Sequence, residues 1–424
     1  MRDSDSIRDT VRVPGDKSIS HRSLIFAALS DGTSRITGLL RSADVDSTAS
    51  VLSALGVSIE SDGDLVMVHG RGLRGLLPPV RPLDCGNSGT TARLMTGVLA
   101  AHPFDSTLTG DASLSRRPMR RATEPLEKMG AHFTFENGTD GLPLTIHGGT
   151  LASIGWNSTT ASAQIKSAIL LAALNAQVSS NVTEPQKSRD HTERMLAARG
   201  VPIVVDGDSI SIGVARSMPA MDSHVPGDPS SAAFFIALAA LSPGRSVYLP
   251  DVCINPTRTG FLNVVQRMGA LIDTDALNDS GGEPVATVRA MGTDALRGVS
   301  VGAAELPSMI DEVPMLACLA ARAHGETVIS GASELRHKES DRIAVVVRNL
   351  LAIGVEAEER PDGMVIRGTR AALSGRVETH GDHRLAMAFG VLGAVPGNDI
   401  AIEAPDCVSV SYPAFWSDLR RASQ

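Results

Sequence analysis

The sequence predicts a mixed α/β protein with two domains, each made of three repeated units. At 424 residues the chain is too long for a single ordinary hydrophobic core. A Val-Pro-Gly-Asp segment occurs twice, at 13–16 and 225–228, and each copy leads into an Ala-rich run. A pattern of helix, turn and short strand also recurs six times along the chain, which is typical of a repeat architecture.

The six repeats share an Ala/Leu-rich helical run, a turn with Gly, Pro, Asn or Asp, and a strand rich in Thr, Val and Ile. They lie at 23–36, 91–108, 164–182, 231–248, 313–329 and 385–402. A second predicted helix follows in each, at 48–56, 124–130, 192–200, 259–269, 342–354 and, where the sixth repeat stops, 412–420. The first five end on Gly, which adopts the left-handed conformation of a helix C-cap at low cost.

The repeated Val-Pro-Gly-Asp segments divide the six repeats into two sets of three. We expect one domain to comprise 1–15 and 228–424, completed by an N-terminal strand at 10–13, and the other to comprise 16–227. The chain would cross between them near 13–17 and 225–229, which predicts a clamshell with a hinge. Two sequential, independent α/β domains are the alternative.

Composition excludes several classes of protein. A net charge of −8 argues against nucleic-acid or membrane-surface binding, and the four scattered cysteines form no CxxC pair. The polar N-terminus lacks the apolar core of a signal peptide, and no apolar run is long enough to span a membrane. We therefore expect a soluble protein of the reducing cytoplasm with neither metal nor cofactor.

Several helix starts carry basic residues, which oppose the helix dipole unless an anion compensates them. Lys17, Arg22, His383 and Arg384 are for this reason interpreted as site residues. Ser, Thr, Asn or Asp at the other helix starts is ordinarily only a cap. Helix starts also attract phosphate and carboxylate groups, so the pattern predicts a site for a small polyanion.

Further basic residues lie near second helices. Residues 115–121 contain four arginines, which usually form a solvated face, although an Arg-Pro helix start can direct one guanidinium toward a cleft. Lys338 and Arg342 are four residues apart, on one predicted helical face beside Glu339, where an intrahelical ion pair is the simpler interpretation. The GxGxxG match at 70–75 is rejected because Leu-Leu-Pro-Pro follows it and no helix can begin there.

These residues suggest an enzyme that acts on a polyanion. Asp311 and Glu339 are available carboxylates for proton transfer, and Lys17 is a candidate acid or charge stabiliser. The residues alone do not name a substrate.

The chain resembles the EPSP synthase family (3-phosphoshikimate 1-carboxyvinyltransferase) over nearly its whole length. The matching motifs are DKSISHR at 16–22, GNSGTTAR at 86–93, LTGD at 108–111 running to Arg-Pro at 117–118, RHKESDR at 336–342 and DHRLAM at 382–387. The resemblance implies two domains of three βαβαββ units, each arranged as an inside-out α/β barrel. It also implies a cytoplasmic monomer that needs no cofactor.

The implied reaction transfers the enolpyruvyl group of phosphoenolpyruvate to the 5-hydroxyl of shikimate 3-phosphate by addition and elimination, releasing phosphate. This is the sixth step of chorismate and aromatic amino-acid biosynthesis, and the family is the target of glyphosate. By the resemblance, Asp311 is the base, Glu339 is the proton donor and Lys17 assists both substrates. The implied shikimate 3-phosphate ligands are Lys17, Ser18, Arg22, Ser162, Ala163, Gln164, Arg189, Asp311 and Lys338. The implied phosphoenolpyruvate ligands are Lys17, Gly89, Arg117, Gln164, Arg342 and Arg384.

The chain departs from the pattern of many family members at several positions. Ala163 stands where a second Ser is common, Ser188 stands near a common Tyr, and Val410 stands where a Lys is common. Ala163, Lys166 and the Arg-Asp-His-Thr segment at 189–192 resemble instead the divergent subgroup that includes glyphosate-tolerant enzymes. Gly89, however, lacks the extra methyl group that would crowd glyphosate, so the two features point in opposite directions.

Two other functions were weighed. The sister enolpyruvyl transferase acting on UDP-N-acetylglucosamine keeps a Cys in the loop before its phosphoenolpyruvate arginine and an Asn after its first lysine. Here the loop at 111–117 has no Cys, and Ser18 follows Lys17. A non-catalytic anion-binding module is disfavoured because Lys17, Asp311 and Glu339 are all present.

Overall fold

A computed structural model describes residues 8–136, 138–275 and 278–424 and divides into two compact units. The N-terminal unit comprises Gly15–Val225 and Asp279–Glu283. The C-terminal unit comprises the described residues up to Pro14 together with Pro226–Asn278 and Pro284–Gln424. The chain passes between the units inside both Val-Pro-Gly-Asp segments. It passes again at the short segment Asp279–Glu283, which the sequence analysis did not anticipate.

Helices and strands alternate along the chain, as predicted. The α-helices are α1 (Lys17–Ala28), α2 (Ala43–Ala54), α3 (Gly89–Ala100), α4 (Arg120–Lys128), α5 (Ala163–Ala176), α6 (His191–Ala198), α7 (Pro229–Ala240), α8 (Gly260–Arg267), α9 (Val313–Ala320), α10 (Arg342–Ala352), α11 (His383–Gly393) and α12 (Phe415–Ser423).

The strands are short and mostly flank these helices. They are β1 (Arg8–Thr10), β2 (Asp31–Thr37), β3 (Ser58–Asp62), β4 (Leu65–Arg71), β5 (Leu83–Asp84), β6 (Asp105–Thr109), β7 (His132–Phe135), β8 (Leu144–His147), β9 (Gly155–Asn157), β10 (Ser180–Thr183), β11 (Ile203–Asp206), β12 (Ser209–Ile212), β13 (Ser223–His224), β14 (Ser246–Cys253), β15 (Leu271–Thr274), β16 (Asn278–Ser280), β17 (Glu283–Met291), β18 (Ser300–Val301), β19 (Glu326–Ile329), β20 (Glu356–Arg360), β21 (Gly363–Arg367), β22 (Ser374–Val377) and β23 (Asp399–Ile402).

The sheets repeat one topology, a parallel pair followed by two antiparallel strands. The N-terminal unit has the orders β13-β2-β4-β3, β5-β6-β8-β7 and β9-β10-β12-β11, and the C-terminal unit has β1-β14-β17-β15, β18-β19-β21-β20 and the parallel pair β22-β23. The β22-β23 sheet lacks the two antiparallel strands because the sixth repeat stops after α12, as its sequence indicated. The predicted N-terminal strand at 10–13 lies slightly earlier, at β1, where it pairs with β14.

The Ala-rich helices lie at the centre of each unit. Every residue of α7 is buried, and nearly all of α1, α3, α5, α9 and α11 is buried as well. Small Ala side chains allow such helices to approach closely, which suits a chain with only 3% aromatic residues. The helices are therefore inside and the sheets outside, as the inside-out expectation required, but each sheet in the described ranges is open and does not close into a barrel.

The Val-Pro-Gly-Asp segments start two of these helices in the same way. Asp16 and Asp228 are N-caps whose side chains accept hydrogen bonds from the backbone N–H groups of Ile19 and Ser230, both at 2.8 Å. Gly15 and Gly227 in these segments allow another part of the backbone to lie close to the chain. A Cβ on Gly15 would lie 2.0 Å from the carbonyl oxygen of Gly38, and one on Gly227 would lie 3.1 Å from that of Asp251.

The glycines after the second helices adopt left-handed conformations, as predicted. Gly56, Gly130, Gly200, Gly269 and Gly354 have φ between +78° and +102°. The starts of two of these helices were predicted too late, since α2 begins at Ala43 and α4 at Arg120. Within the described ranges, every helix is too short or too polar to cross a bilayer.

Replacing Gly200 by Ala tests the left-handed C-cap. A Cβ there meets nothing within 4 Å, but φ is +78°, so we expect backbone strain alone to lower the free energy of unfolding by about 1–2 kcal/mol. Gly149→Ala is the matched control, because that site is equally open and has no left-handed φ. Urea denaturation of both variants makes the comparison, and an equal effect at the two sites would contradict the strain argument.

Candidate functional site

Lys17 is the first residue of α1 in the N-terminal unit, and its charge is met by a carboxylate. Its ammonium lies 3.1 Å from Oδ2 of Asp44, in the first turn of α2. The sequence argument required an anion to compensate a cation at this helix start. The structure shows that the protein itself supplies one, so a ligand is not the only possible source of countercharge.

Arg22 is a buried cation held by neutral groups. It lies in the second turn of α1 and is 3% exposed. Its guanidinium donates to the hydroxyls of Thr192 at 2.7 Å and Ser167 at 2.9 Å and to the carbonyl of Ser18 at 3.0 Å. Burial lowers its pKa to about 10, so it is charged at neutral pH. No carboxylate of the described residues lies within ion-pair distance of it, which leaves its charge available to an anion.

Arg93 is a functional candidate that the sequence analysis quoted within a motif but gave no role. Its Nη1 donates to Oε1 of Gln164 at 3.1 Å, and Nε2 of Gln164 donates to the hydroxyl of Thr90 at 3.0 Å. Burial and the charge of nearby Arg117 lower the pKa of Arg93 to about 10. A Cβ on Gly89 would lie 2.6 Å from Nη1 of Arg93, so a side chain there would displace this arginine. An arginine inside an Ala-rich helical run was the available signal.

Arg117 is distinguished from the other arginines of residues 115–121. It is half-buried, and its guanidinium donates to Oδ1 of Asn87 at 2.8 Å and to the hydroxyl of Ser113 at 3.3 Å. Arg116, Arg120 and Arg121 are exposed. Arg117 does not begin a helix as predicted, because α4 starts only at Arg120, but it is the half-buried arginine of this run.

Ser162, Ala163 and Arg189 lie at the starts of two further helices in the N-terminal unit. Ser162 is the N-cap of α5, and Ala163 is its first residue. Arg189 is half-buried and lies just before α6. Hydrogen bonds and an ion pair thus connect the starts of α1, α2, α3, α5 and α6, so the structure brings together the residues predicted for this unit.

Arg342 is the centre of the candidate site in the C-terminal unit. It is 2% exposed, with Nε 2.8 Å from Oδ2 of Asp382, Nη2 2.7 Å from Oε2 of Glu339 and Nη1 3.4 Å from Oδ1 of Asp311. The three carboxylates outweigh the burial of Arg342 and raise its pKa above the usual range. Asp311 and Glu339, both predicted site residues, are therefore held on one permanently charged guanidinium.

The predicted helical face of Lys338 and Arg342 is wrong. Helix α10 begins only at Arg342, because Asp341 is its N-cap and accepts from the N–H of Ala344 at 3.1 Å. Lys338 and Glu339 precede the helix in non-helical backbone. Glu339 still reaches Arg342, whereas the ammonium of Lys338 pairs with Glu334 at 2.9 Å, apart from the Arg342 cluster.

Asp382 has a larger role than the sequence analysis gave it. It accepts from Arg342 and from the hydroxyl of Ser340, and it caps α11 by accepting from the N–H of Arg384 at 3.0 Å. Burial would raise the pKa of Asp382, but Arg342 holds it below its ordinary value. Arg384 is 7% exposed, and no hydrogen bond or ion pair joins its guanidinium to the other described residues.

Asp382→Asn tests this pairing. Removing one charge from a buried pair leaves Arg342 less compensated, so we expect a loss of about 3–5 kcal/mol of unfolding free energy at pH 7. Because the folded pKa of Asp382 is lowered, its contribution is complete above its ordinary pKa of about 4 and is lost as the pH falls below that value. Urea titrations at pH 7 and pH 3.5 should show a smaller difference from the wild-type protein at the lower pH. A difference that is independent of pH would contradict the assignment.

Comparisons with known proteins place these residues in a family. A family model described as EPSP synthase (3-phosphoshikimate 1-carboxyvinyltransferase) matches residues 1–419. The chain is 45% identical over 420 residues to the 3-phosphoshikimate 1-carboxyvinyltransferase of Bacillus subtilis (strain 168), with 99% of this chain and 98% of the relative covered. It is 49% identical over 419 residues to the protein of that name from Halorhodospira halophila, with 98% and 94% covered.

A solved EPSP synthase from Acinetobacter baumannii superimposes with a TM-score of 0.89 at 42% identity, covering 98% of this chain and 95% of that one. The predicted mixed α/β fold class is confirmed by this match. The chain belongs to the EPSP synthase family.

Proposed function

We propose that this protein is a 3-phosphoshikimate 1-carboxyvinyltransferase of aromatic amino-acid biosynthesis by the shikimate pathway. It transfers the enolpyruvyl group of phosphoenolpyruvate to the 5-hydroxyl of shikimate 3-phosphate and releases phosphate. The observation that carries the proposal is the match of nearly the whole chain to relatives that bear this name. The two substrates are small phosphorylated acids, and the reaction uses no cofactor.

The N-terminal unit supplies most of the proposed anion-binding residues. Lys17, Ser18, Arg22, the segment 162–164 and Arg189 are assigned to shikimate 3-phosphate, and Lys17, Gly89, Arg117 and Gln164 to phosphoenolpyruvate. Arg22 supports this assignment because it is a buried cation that neutral groups hold in position. An arriving phosphate would supply the missing countercharge through charge-assisted hydrogen bonds.

The C-terminal unit supplies the proposed acid and base, together with further ligands. Arg342 and Arg384 are assigned to phosphoenolpyruvate, and Lys338 and Asp311 to the shikimate ring. Arg384 has no partner among the described side chains, as expected of a residue that meets an external anion. The side chain of Lys338 is 23% exposed and pairs with the exposed Glu334, so it can exchange that partner for a substrate.

Proton transfer is assigned to Asp311 and Glu339. Asp311 removes the proton of the 5-hydroxyl, and Glu339 delivers one to the methylene carbon of phosphoenolpyruvate. The positive charge of Arg342 favours the ionised form of both carboxylates. An ionised Asp311 can accept the proton of the 5-hydroxyl, as its assigned role as base requires. Glu339 must therefore gain its proton when the anionic substrate competes for Arg342 and weakens that ion pair. Lys17 stabilises the negative charge of the substrates during the reaction.

We propose in addition that the chain belongs to the divergent subgroup of the family that includes glyphosate-tolerant enzymes. Ala163, Lys166 and the segment 189–192 support this placement. We also propose that the protein acts as a monomer in the cytoplasm. Cys85, Cys318 and Cys407 are free thiols, as is usual for proteins of a reducing compartment.

Release of phosphate from phosphoenolpyruvate tests the proposed function. We expect release only when shikimate 3-phosphate is also present. Release that depends on UDP-N-acetylglucosamine would indicate the sister transferase. No release with either acceptor, with phosphoenolpyruvate still bound in a calorimeter, would indicate a non-catalytic anion-binding module.

Asp311→Ala tests the assignment of the base. Binding of both substrates rests mainly on cations, and Asp382 and Glu339 still hold Arg342 in this variant. We therefore expect calorimetry to show both ligands bound, and kcat to fall by about 10²–10⁴-fold. Asp399→Ala, an exposed acid on β23 of the same unit, is the control and should keep full turnover. Full turnover in the Asp311 variant would place the base elsewhere.

A further inference from the structure

Three charged side chains of the N-terminal unit form a buried cluster that the proposed reaction does not use. The ammonium of Lys166, on α5, lies 2.7 Å from Oε2 of Glu184 and 2.7 Å from Oε1 of Glu193. The three side chains are only 1%, 1% and 4% exposed. Burying so many charges is costly, and a cluster of this kind is weak evidence for added stability. The presence of the cluster therefore requires an explanation other than stability.

Glu184 differs from Glu193 in what else it holds. Besides Lys166, its carboxylate accepts from the hydroxyl of Ser188 at 2.6 Å, from the backbone N–H of Ser188 at 3.3 Å and from the backbone N–H of Ser162 at 3.2 Å. Glu193 pairs with Lys166, and its Oε2 has no hydrogen-bond partner among the described residues. One carboxylate thus fixes the backbone at two separate points of the chain.

Both points adjoin residues assigned to shikimate 3-phosphate. Ser162 is itself one of them and directly precedes Ala163 and Gln164, and Ser188 directly precedes Arg189. The hydroxyl of Ser162 makes no capping hydrogen bond on α5, so the position of this N-cap depends on its backbone contact with Glu184. Movement of Glu184 would displace both segments together.

The same cluster joins two residues, Lys166 and Ser188, that are far apart in the sequence. Lys166, which resembles the divergent subgroup, and Ser188, which stands near a common Tyr, both contact Glu184. A tyrosine near position 188 would carry its hydroxyl several ångströms further from the backbone and could not make this short contact. Without Lys166, Glu184 and Glu193 would be two buried carboxylates with no cation between them. The two residues therefore belong to a single structural feature.

We propose that Glu184, paired with Lys166, is a positioning residue for shikimate 3-phosphate that fixes the segment 162–164 and Arg189 together. The inference rests on the proposed function and adds a residue to which that function gives no role. Glu184 acts through Ser162 and Ser188, whose neighbours contact the substrate. The charge of Lys166 compensates the buried carboxylate of Glu184. The hydrogen bond from Ser188 connects Glu184 to the residue next to Arg189.

Glu184→Gln is the direct test. The amide presents one oxygen and one NH2 group, so either Lys166 or Ser188 must face a donor instead of an acceptor. We expect the KM for shikimate 3-phosphate to rise at least about tenfold, the scale of a lost buried hydrogen bond, while the KM for phosphoenolpyruvate, which shares only Gln164 with the fixed segments, rises less. A general loss of folding would instead lower the active fraction and leave both KM values unchanged.

Glu193→Gln is the matched control. It makes the same chemical change on the same lysine, but no hydrogen bond joins Glu193 to the substrate segments. We expect both KM values to remain close to those of the wild-type protein. If this variant raised the KM for shikimate 3-phosphate as much as Glu184→Gln does, the positioning role of Glu184 would be overturned.

Ser188→Ala covers the case in which Glu184→Gln does not fold. It removes only the hydroxyl contact at 2.6 Å and leaves the buried charges in place. We expect a rise of about three- to tenfold in the KM for shikimate 3-phosphate alone. Equal effects on both substrates, or none, would overturn the inference while wild-type turnover still upheld the proposed function. A wild-type protein without shikimate-dependent turnover would overturn both.

Discussion

The burial of the Ala-rich helices is the constraint on which the rest of the structure depends. A helix surrounded by other elements along its whole length, as α7 is, has no solvated face for polar groups. Polar chemistry is therefore concentrated at the helix ends, where backbone N–H groups remain unpaired. Most of the proposed ligands lie at such starts. Where a charge does lie further along a buried helix, as for Arg22 and Lys166, several partners surround it.

The same constraint explains why the site depends on carboxylates as well as cations. Arg342 at the start of α10 is held by Asp382, Glu339 and Asp311, and Lys17 is held by Asp44. A cation that is already compensated costs less to bury before a substrate arrives. An incoming anion must then compete with the carboxylates, so binding the substrate changes the electrostatic environment of the proposed acid and base.

Much of this organisation could be predicted from the sequence, because repeats and helix caps are local. The six helix–strand repeats and the C-cap at Gly354 follow from short patterns that the structure reproduces. The start of α10 at Arg342 was predicted correctly, but the four-residue spacing of Lys338 and Arg342 wrongly placed both on one helical face. The contacts of Asp311 and Asp382 with Arg342 and the convergence on Glu184 were not predictable, because they join segments that are distant in sequence and meet only in the folded unit.

The N-terminal strand has a consequence for how the protein is made. Strand β1 is synthesised before its partner β14, and most of the N-terminal unit, Gly15–Val225, lies between the two strands in the sequence. The N-terminal unit contains its own β13 within one nearly continuous stretch, so its sheets can assemble while synthesis continues. The C-terminal unit must pair β14 with β1, which is synthesised much earlier. Until that pairing forms, one edge of β14 has unpaired backbone groups. Vectorial synthesis therefore imposes an order of assembly on two units that share one topology.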